Sequence, residues 1–305
     1  MADWEALWRD ALYAPGGFFA RGERPVEHFR TAPLVGPELA EALLVLLARV
    51  DVALGKPAAL DFVDVGAGGG ELAATVRELA RGDLARRLHV TAVDLGPSRS
   101  LPGVRWLSEL PASVTGLLVG HEWLDAVPCP VVVGPSDDPW LRAWWPLAAG
   151  EQAEVGAPRD ALWADAVDRV RGAAVAVDYG HLRADRAAGR YPRGTLAGYR
   201  DGRRVEPVPD GSCDITAHVA LDACAAAAGG DWVLVSQRDA LAALGLTAAQ
   251  APGGDPMAWL DATARAGRIA ELRAVGGLGD FGWLLHATAG VRTTDLLTPL
   301  PAWRP

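Results

Sequence analysis

The run Leu60-Asp61-Phe62-Val63-Asp64-Val65-Gly66-Ala67-Gly68-Gly69-Gly70-Glu71-Leu72 constrains this chain more than any other stretch. A short apolar strand leads directly into a glycine-rich turn and then into a helix. Glycine lets backbone come close to a ligand, and the free N–H groups at a helix start face polar atoms. The spacing narrows the ligand. A dinucleotide site wants G-x-G-x-x-G, whereas Gly66, Gly68 and Gly70 form G-x-G-x-G, and Glu71 would repel a pyrophosphate. Asp64, just ahead of the loop, is equally awkward for phosphate and suits a cationic amino group.

A second acid supports the same ligand. Val90 to Asp94 reads as the next strand, and Asp94 falls 24 residues after Gly70, where a carboxylate can accept hydrogen bonds from both hydroxyls of a ribose. An adenosyl group without a pyrophosphate fits both features, with S-adenosylmethionine as the natural candidate cofactor. Its expected contacts are Asp64, Gly66, Ala67, Gly68, Gly70, Asp94 and Leu95. The plainer alternative is a turn that serves only helix–strand packing, with Asp94 a solvated strand end.

The rest of the chain alternates short apolar runs with helical stretches, the signature of βαβ units and a parallel sheet. Strands are expected at 59–65, 88–94, 103–107, 115–120, 172–178, 231–236 and 281–288, and helices near 158–170, 217–228, 237–245 and 256–275. Leu39, Leu43, Leu46, Leu47 and Val50 form one helical face. The expected fold is α/β, a seven-stranded, doubly wound, Rossmann-like sheet. Two segments interrupt it. Residues 131–133 and 140–145 read as an inserted hairpin around the turn-rich 134–139, and residues 180–213 read as an aperiodic lid or substrate platform. The expected organisation is an N-terminal arm over 1–37 and one domain over 38–305, with insertions near 129–150 and 180–213.

Composition removes several functions. A net charge of −9 argues against binding a phosphate backbone, so nucleic acid is not an expected partner. Lys56 is the only lysine, and Pro57 follows it, which excludes a P-loop and leaves little for Schiff-base chemistry. Cys129, Cys213 and Cys224 are too few and too scattered for a zinc site or a disulfide framework. They fit a reducing cytoplasm. No metal-ligand spacing occurs, the first residues lack a signal-peptide pattern, and no apolar run approaches a membrane span.

A third constellation, His121-Glu122-Trp123-Leu124-Asp125-Ala126-Val127-Pro128, follows the fourth expected strand, beside the point where an open sheet binds its ligand. It resembles the N-E-x-x-D-A-x-P of the MidA family of S-adenosylmethionine-dependent methyltransferases, bacterial relatives of a mitochondrial complex I assembly factor that methylates a protein arginine. Further matches are Ala11-Leu12-Tyr13, Phe29 with Thr31-Ala32-Pro33, Val177-Asp178-Tyr179-Gly180, Gly194-Thr195-Leu196 and Asp214-Ile215-Thr216-Ala217-His218-Val219. The resemblance spans nearly the whole chain. It departs at His121, where the family has Asn, at His28 and Leu34, and in Gly279 to Trp283. It implies a class I methyltransferase fold and an arm that covers the site. The implied acceptor is a partner-protein arginine, as on a respiratory complex I subunit. A small-molecule O- or N-methyltransferase and a non-catalytic assembly factor are the alternatives, and the oligomeric state stays open.

Methyl transfer from a sulfonium needs an aligned acceptor and a place for its proton. Glu122 and Asp125, three apart, can hold a guanidinium through paired hydrogen bonds. Their structural alternative is a helix cap and a backbone anchor. His218, expected in the first turn of a helix capped by Asp214 or Thr216, is a candidate base, as is His121. Asp178 and Tyr179 either line the acceptor pocket or close a tight turn. Thr31 belongs to the arm over the site.

Overall fold

The computed structural model describes residues 3–22, 31–247 and 256–305. His28 and Phe29 lie outside these residues. The chain opens with the helix Trp4–Tyr13, N-capped by Asp3 through the Ala6 N–H. The helix Glu38–Ala53 then leads to β1 (Leu60–Val65), β2 (Leu88–Val93), β3 (Val104–Leu107) and β4 (Val114–His121). The pair β5 (Val131–Val133) and β6 (Gln152–Glu154) precedes the helix Ala157–Asp168, β7 (Val170–Asp178) and β8 (Gly180–His181). Next come β9 (Ala197–Arg200), β10 (Arg203–Val205), β11 (Asp214–Thr216), β12 (Val219–Ala220) and β13 (Asp231–Ser236), and β14 (Gly282–Ala287) closes the series.

Seven of these strands form one sheet in the order β13-β14-β7-β4-β1-β2-β3. β1 pairs in parallel with β2 on one side and β4 on the other, so the winding direction reverses between β1 and β4. β14 runs antiparallel between β7 and β13. All seven expected core strands are present within about two residues of their expected ends. Their alternate side chains feed two cores. Phe62, Leu117 and Val175 pack with Leu43, Leu46 and Val76 on one face, while Val63, Leu118 and Leu284 pack with Trp163 and Cys224 on the other. Both faces are covered, which is why the strands read as nearly continuous apolar runs.

The departures from the sequence reading lie in the insertions. β5 pairs with Gln152–Glu154 rather than with 140–145, and residues Pro139–Trp144 form a helix. Asp138 caps that helix through the Leu141 N–H, and Pro139 sits in its first turn, where its missing N–H costs nothing. Trp140 and Trp144, four apart, occupy one helical face, so the aromatic run is helical and not extended. The stretch 180–213 is not aperiodic throughout, since it carries β8, a short helix Arg183–Ala187 and the antiparallel β9–β10 hairpin, which β11 joins as a three-stranded sheet. The helix expected from 217 starts at Leu221, after β12.

A third apolar cluster ties the first helix to this small sheet. Trp8, Leu12 and Phe18 pack with Cys213 and Ile215, and the Trp8 indole N–H donates to the Ile215 carbonyl at 2.8 Å. No helix of the described residues is long and apolar enough to cross a membrane.

Candidate active site

Beyond the carboxyl ends of β1 and β4, at the reversal point, lie two adjoining cavities of about 390 and 430 Å³. Both are of a size suited to small molecules. Phe19, Gly66, Gly68, Glu122 and Ala126 line both, so they behave as two lobes of one site.

The glycine loop forms the floor. Gly66 and Gly68 have φ of +69° and +58°, a left-handed backbone that only glycine adopts without strain. A Cβ on Gly66 would meet Trp123 at 3.1 Å, so the loop can lie beneath that indole only without a side chain. Asp94 organises this loop. Its Oδ2 accepts the Gly68 N–H and its Oδ1 the Gly96 N–H, both at 2.7 Å. Each oxygen keeps a second lone pair, and Asp94 and Leu95 line the second lobe. Asp64, buried at the end of β1, accepts the Ala73 N–H at 3.2 Å and lines the other lobe with Ala67. Burial pushes its carboxyl up to about 8. Gly70 lines neither lobe. Its missing Cβ faces Leu101 and Trp106, so its expected place among the cofactor contacts is corrected to that of a packing glycine at the helix start.

Glu122, Asp125, His121 and His218 all reach the first lobe, with Thr31 and Tyr179. Glu122 has φ +50°, uncommon for a residue with a side chain. The Ala32 N–H of the N-terminal arm favours its ionised form, and its Oε1 lies 3.4 Å from His121 Nδ1 with no hydrogen-bond partner among the described residues. Asp125 does not cap a helix, because its Oδ2 accepts the Tyr179 hydroxyl while its Oδ1 has no hydrogen-bond partner among the described residues. Burial, and then the charge of Asp125, raise Glu122 and Asp214 well above the carboxylate range, and burial raises Asp125 despite Tyr179 and Arg159.

Two expectations fail in their reasons. His218 stands between β11 and β12, not in a helical first turn. Its ring is kept neutral by burial and by the nearby Arg204 and Arg159, which bring it to about 4. Asp178 does not line the cavity. It is buried, and its Oδ2 accepts the Leu124 and Asp125 N–H groups while Oδ1 accepts that of Tyr179. His121 is also neutral, lowered by burial to about 4.

Several contributors escaped the sequence reading. Asp214, Glu71, Tyr199 and Phe281 line the first lobe, and Arg159 sits behind it. Its buried guanidinium donates to the carbonyls of Asp125, Val127, Ala217 and His218 at 2.7–3.1 Å. It thereby holds the loop after β4 against the segment between β11 and β12. Nothing in Ala157-Pro158-Arg159-Asp160 distinguishes this residue from a surface arginine.

Residues 146–236 match a family described as "Putative S-adenosyl-L-methionine-dependent methyltransferase". The chain is also similar, at 25% identity and a TM-score of 0.76, to a Burkholderia thailandensis protein described as a "likely methyl transferase" and bound to S-adenosylhomocysteine. The alignment covers 97% of this chain and 90% of that one. A native crystal structure of an uncharacterized protein from the same organism matches at 25% identity and a TM-score of 0.74, with the same coverage. No curated protein matches. The fold, the glycine cradle and these similarities define an S-adenosylmethionine-dependent methyltransferase with a seven-stranded sheet. Within that class the sequence resembles the MidA-type family, and the matched model and the two solved structures agree with that resemblance.

Proposed function

We propose that this enzyme methylates an arginine side chain of a partner protein in the cytoplasm. A respiratory complex I subunit is the partner that the family resemblance suggests. The observation that carries the reading is the wall of the first lobe, where Asp64, Glu71, Glu122, Asp125 and Asp214 supply five carboxylates and the described lining residues include no lysine or arginine. An arriving cation draws these buried carboxyls back to their ionised form and pairs with them, whereas an anionic acceptor would meet only further repulsion. Tyr179, Tyr199 and Phe281 add aromatic faces on which a guanidinium can stack.

The cradle of Asp64, Gly66, Ala67, Gly68, Asp94 and Leu95 suits the cofactor, which when bound supplies an electrophilic methyl on a sulfonium. The protein's own residues prepare the acceptor. Glu122 and Asp125 pair with the planar N–H fork and fix one nitrogen in line. Tyr179 holds Asp125, and Asp178 holds the backbone beneath both. As the C–N bond forms the nitrogen must lose a proton, and Glu122, ionised by the cation it holds, presents Oε1 to accept it, with the neutral His218 ring as the second acceptor. Within the proposed organisation of an arm over 1–37 and a domain over 38–305 with insertions near 129–150 and 180–213, the arm residues Phe19, Thr31, Pro33 and Leu34 line the first lobe, Tyr199 of the second insertion joins them, and no residue of 129–150 lines either lobe.

The test uses methyl-tritiated cofactor, the purified enzyme and an extract from cells lacking it. Label recovered as methylarginine after protein hydrolysis is the expected result. Label confined to small molecules would favour the second reading, a small cationic acceptor, which the aromatic wall also suits. Label at lysine would overturn both.

A further inference from the structure

Resting on the arginine reading, we infer that the β9–β10 hairpin is a docking rim for acidic residues flanking the acceptor in its protein substrate. The chain carries a net charge of −9, yet residues 183–206 hold seven arginines against three carboxylates. The structure gathers part of this excess at the mouth of the acidic lobe. Tyr199 on β9 lines the lobe, and its cross-strand neighbour is Arg204 on β10, whose charge reaches His218 on the same wall.

The next pair in the register is Arg200 opposite Arg203. Two like charges directly opposite each other destabilise a hairpin, and Asp201-Gly202 hold them there through a two-residue turn with φ of +51° and +71°. All three arginines are exposed, and none has a carboxylate within 4 Å among the described residues. Asp210, which lies in the field of Arg200, accepts the Ser212 N–H instead. β10 is the outer strand of its sheet, so among the described residues no strand covers the basic edge. The site is thus acidic inside and basic at the rim. A chain segment that offers one cation to the interior and carboxylates on either side matches both signs, and it relieves the Arg200–Arg203 repulsion.

Short fluorescent peptides separate this inference from the reading beneath it. Three are compared for binding to the enzyme saturated with S-adenosylhomocysteine: one arginine flanked by glutamates, the same with glutamines, and the glutamate peptide with neutral citrulline for arginine. The glutamate peptide is expected to bind about tenfold tighter than the glutamine peptide at low salt, a gap that half-molar salt closes. An Arg200→Glu, Arg203→Glu variant should abolish the preference while its affinity for S-adenosylhomocysteine stays that of the wild type, and Arg200→Lys with Arg203→Lys should keep it. Equal binding of the glutamate and glutamine peptides, absence of binding included, overturns the inference, as does a preference that survives charge reversal. If citrulline binds as well as arginine in the glutamate context, the rim stands and the arginine reading falls. If arginine matters and glutamate does not, the reverse holds.

Discussion

At the scale of single residues, burial makes an ionised carboxylate costly throughout the first lobe. Replacing Glu122 by Gln preserves shape and burial but removes the proton acceptor. Turnover on the acceptor should fall by about tenfold or more, while cofactor affinity measured by calorimetry stays within about twofold. Equal turnover would remove Glu122 from the chemistry. Asp64 offers a pH test. Burial, with Asp94 and Glu71 nearby, raises it from 3.8 to about 8. Between those values the folded protein holds a proton that the unfolded chain has released, so stability falls as pH rises through this window. Thermal melting should therefore be higher at pH 5 than at pH 8, and Asp64→Asn should reduce the difference. The placement of the acids at 64, 94, 122 and 125 beside the cavity was legible in the sequence, because each lies within a few residues of a strand end. Asp178 was legible as a residue but not as a support, because only the folded loop shows that its oxygens are occupied by three N–H groups.

At the scale of elements, the strands and glycine loop follow from local pattern, whereas the insertions depend on what they pack against. The 139–144 segment illustrates the difference. An N-cap, a first-turn proline and a pair of tryptophans four apart outweigh the strand-like look of an aromatic run, because β5 finds its partner at β6 instead. Asp138→Ala should cost about 1 kcal/mol of stability, seen as a small drop in melting temperature, and leave cofactor affinity unchanged. Arg159→Met is the sharper case. Four carbonyls from two loops lose their donor, which should destabilise the protein by about 2–4 kcal/mol and lower turnover more than cofactor binding. A variant that melts and turns over like the wild type would show that packing alone aligns those loops.

On the scale of the whole molecule, the sheet places the β1 and β4 ends side by side, and the N-terminal arm, the small β10-β9-β11 sheet and the β14 entry loop enclose the space above them. A ligand that binds this space only in the folded state must stabilise the whole chain. S-adenosylhomocysteine at about a hundredfold over its dissociation constant should add about 2.7 kcal/mol, and the resulting rise in melting temperature should vanish in Gly68→Val, where a β-branched side chain is forced into a left-handed backbone. A shift that persists in the variant would place the ligand elsewhere. The sequence by itself determined the seven-stranded alternation, the turn chemistry of the cofactor loop and the strand-end acids, since hydrophobic period and glycine spacing act over a dozen residues. Only the tertiary structure decided that Asp214, Tyr199 and Phe281 join Glu122 in one cavity, that Arg159 fastens two loops from behind, and that Arg204 pairs across the strands with Tyr199 of the acidic lobe. The first two join positions tens of residues or more apart, and no local pattern encodes which distant residue will share a buried polar group or an open charge.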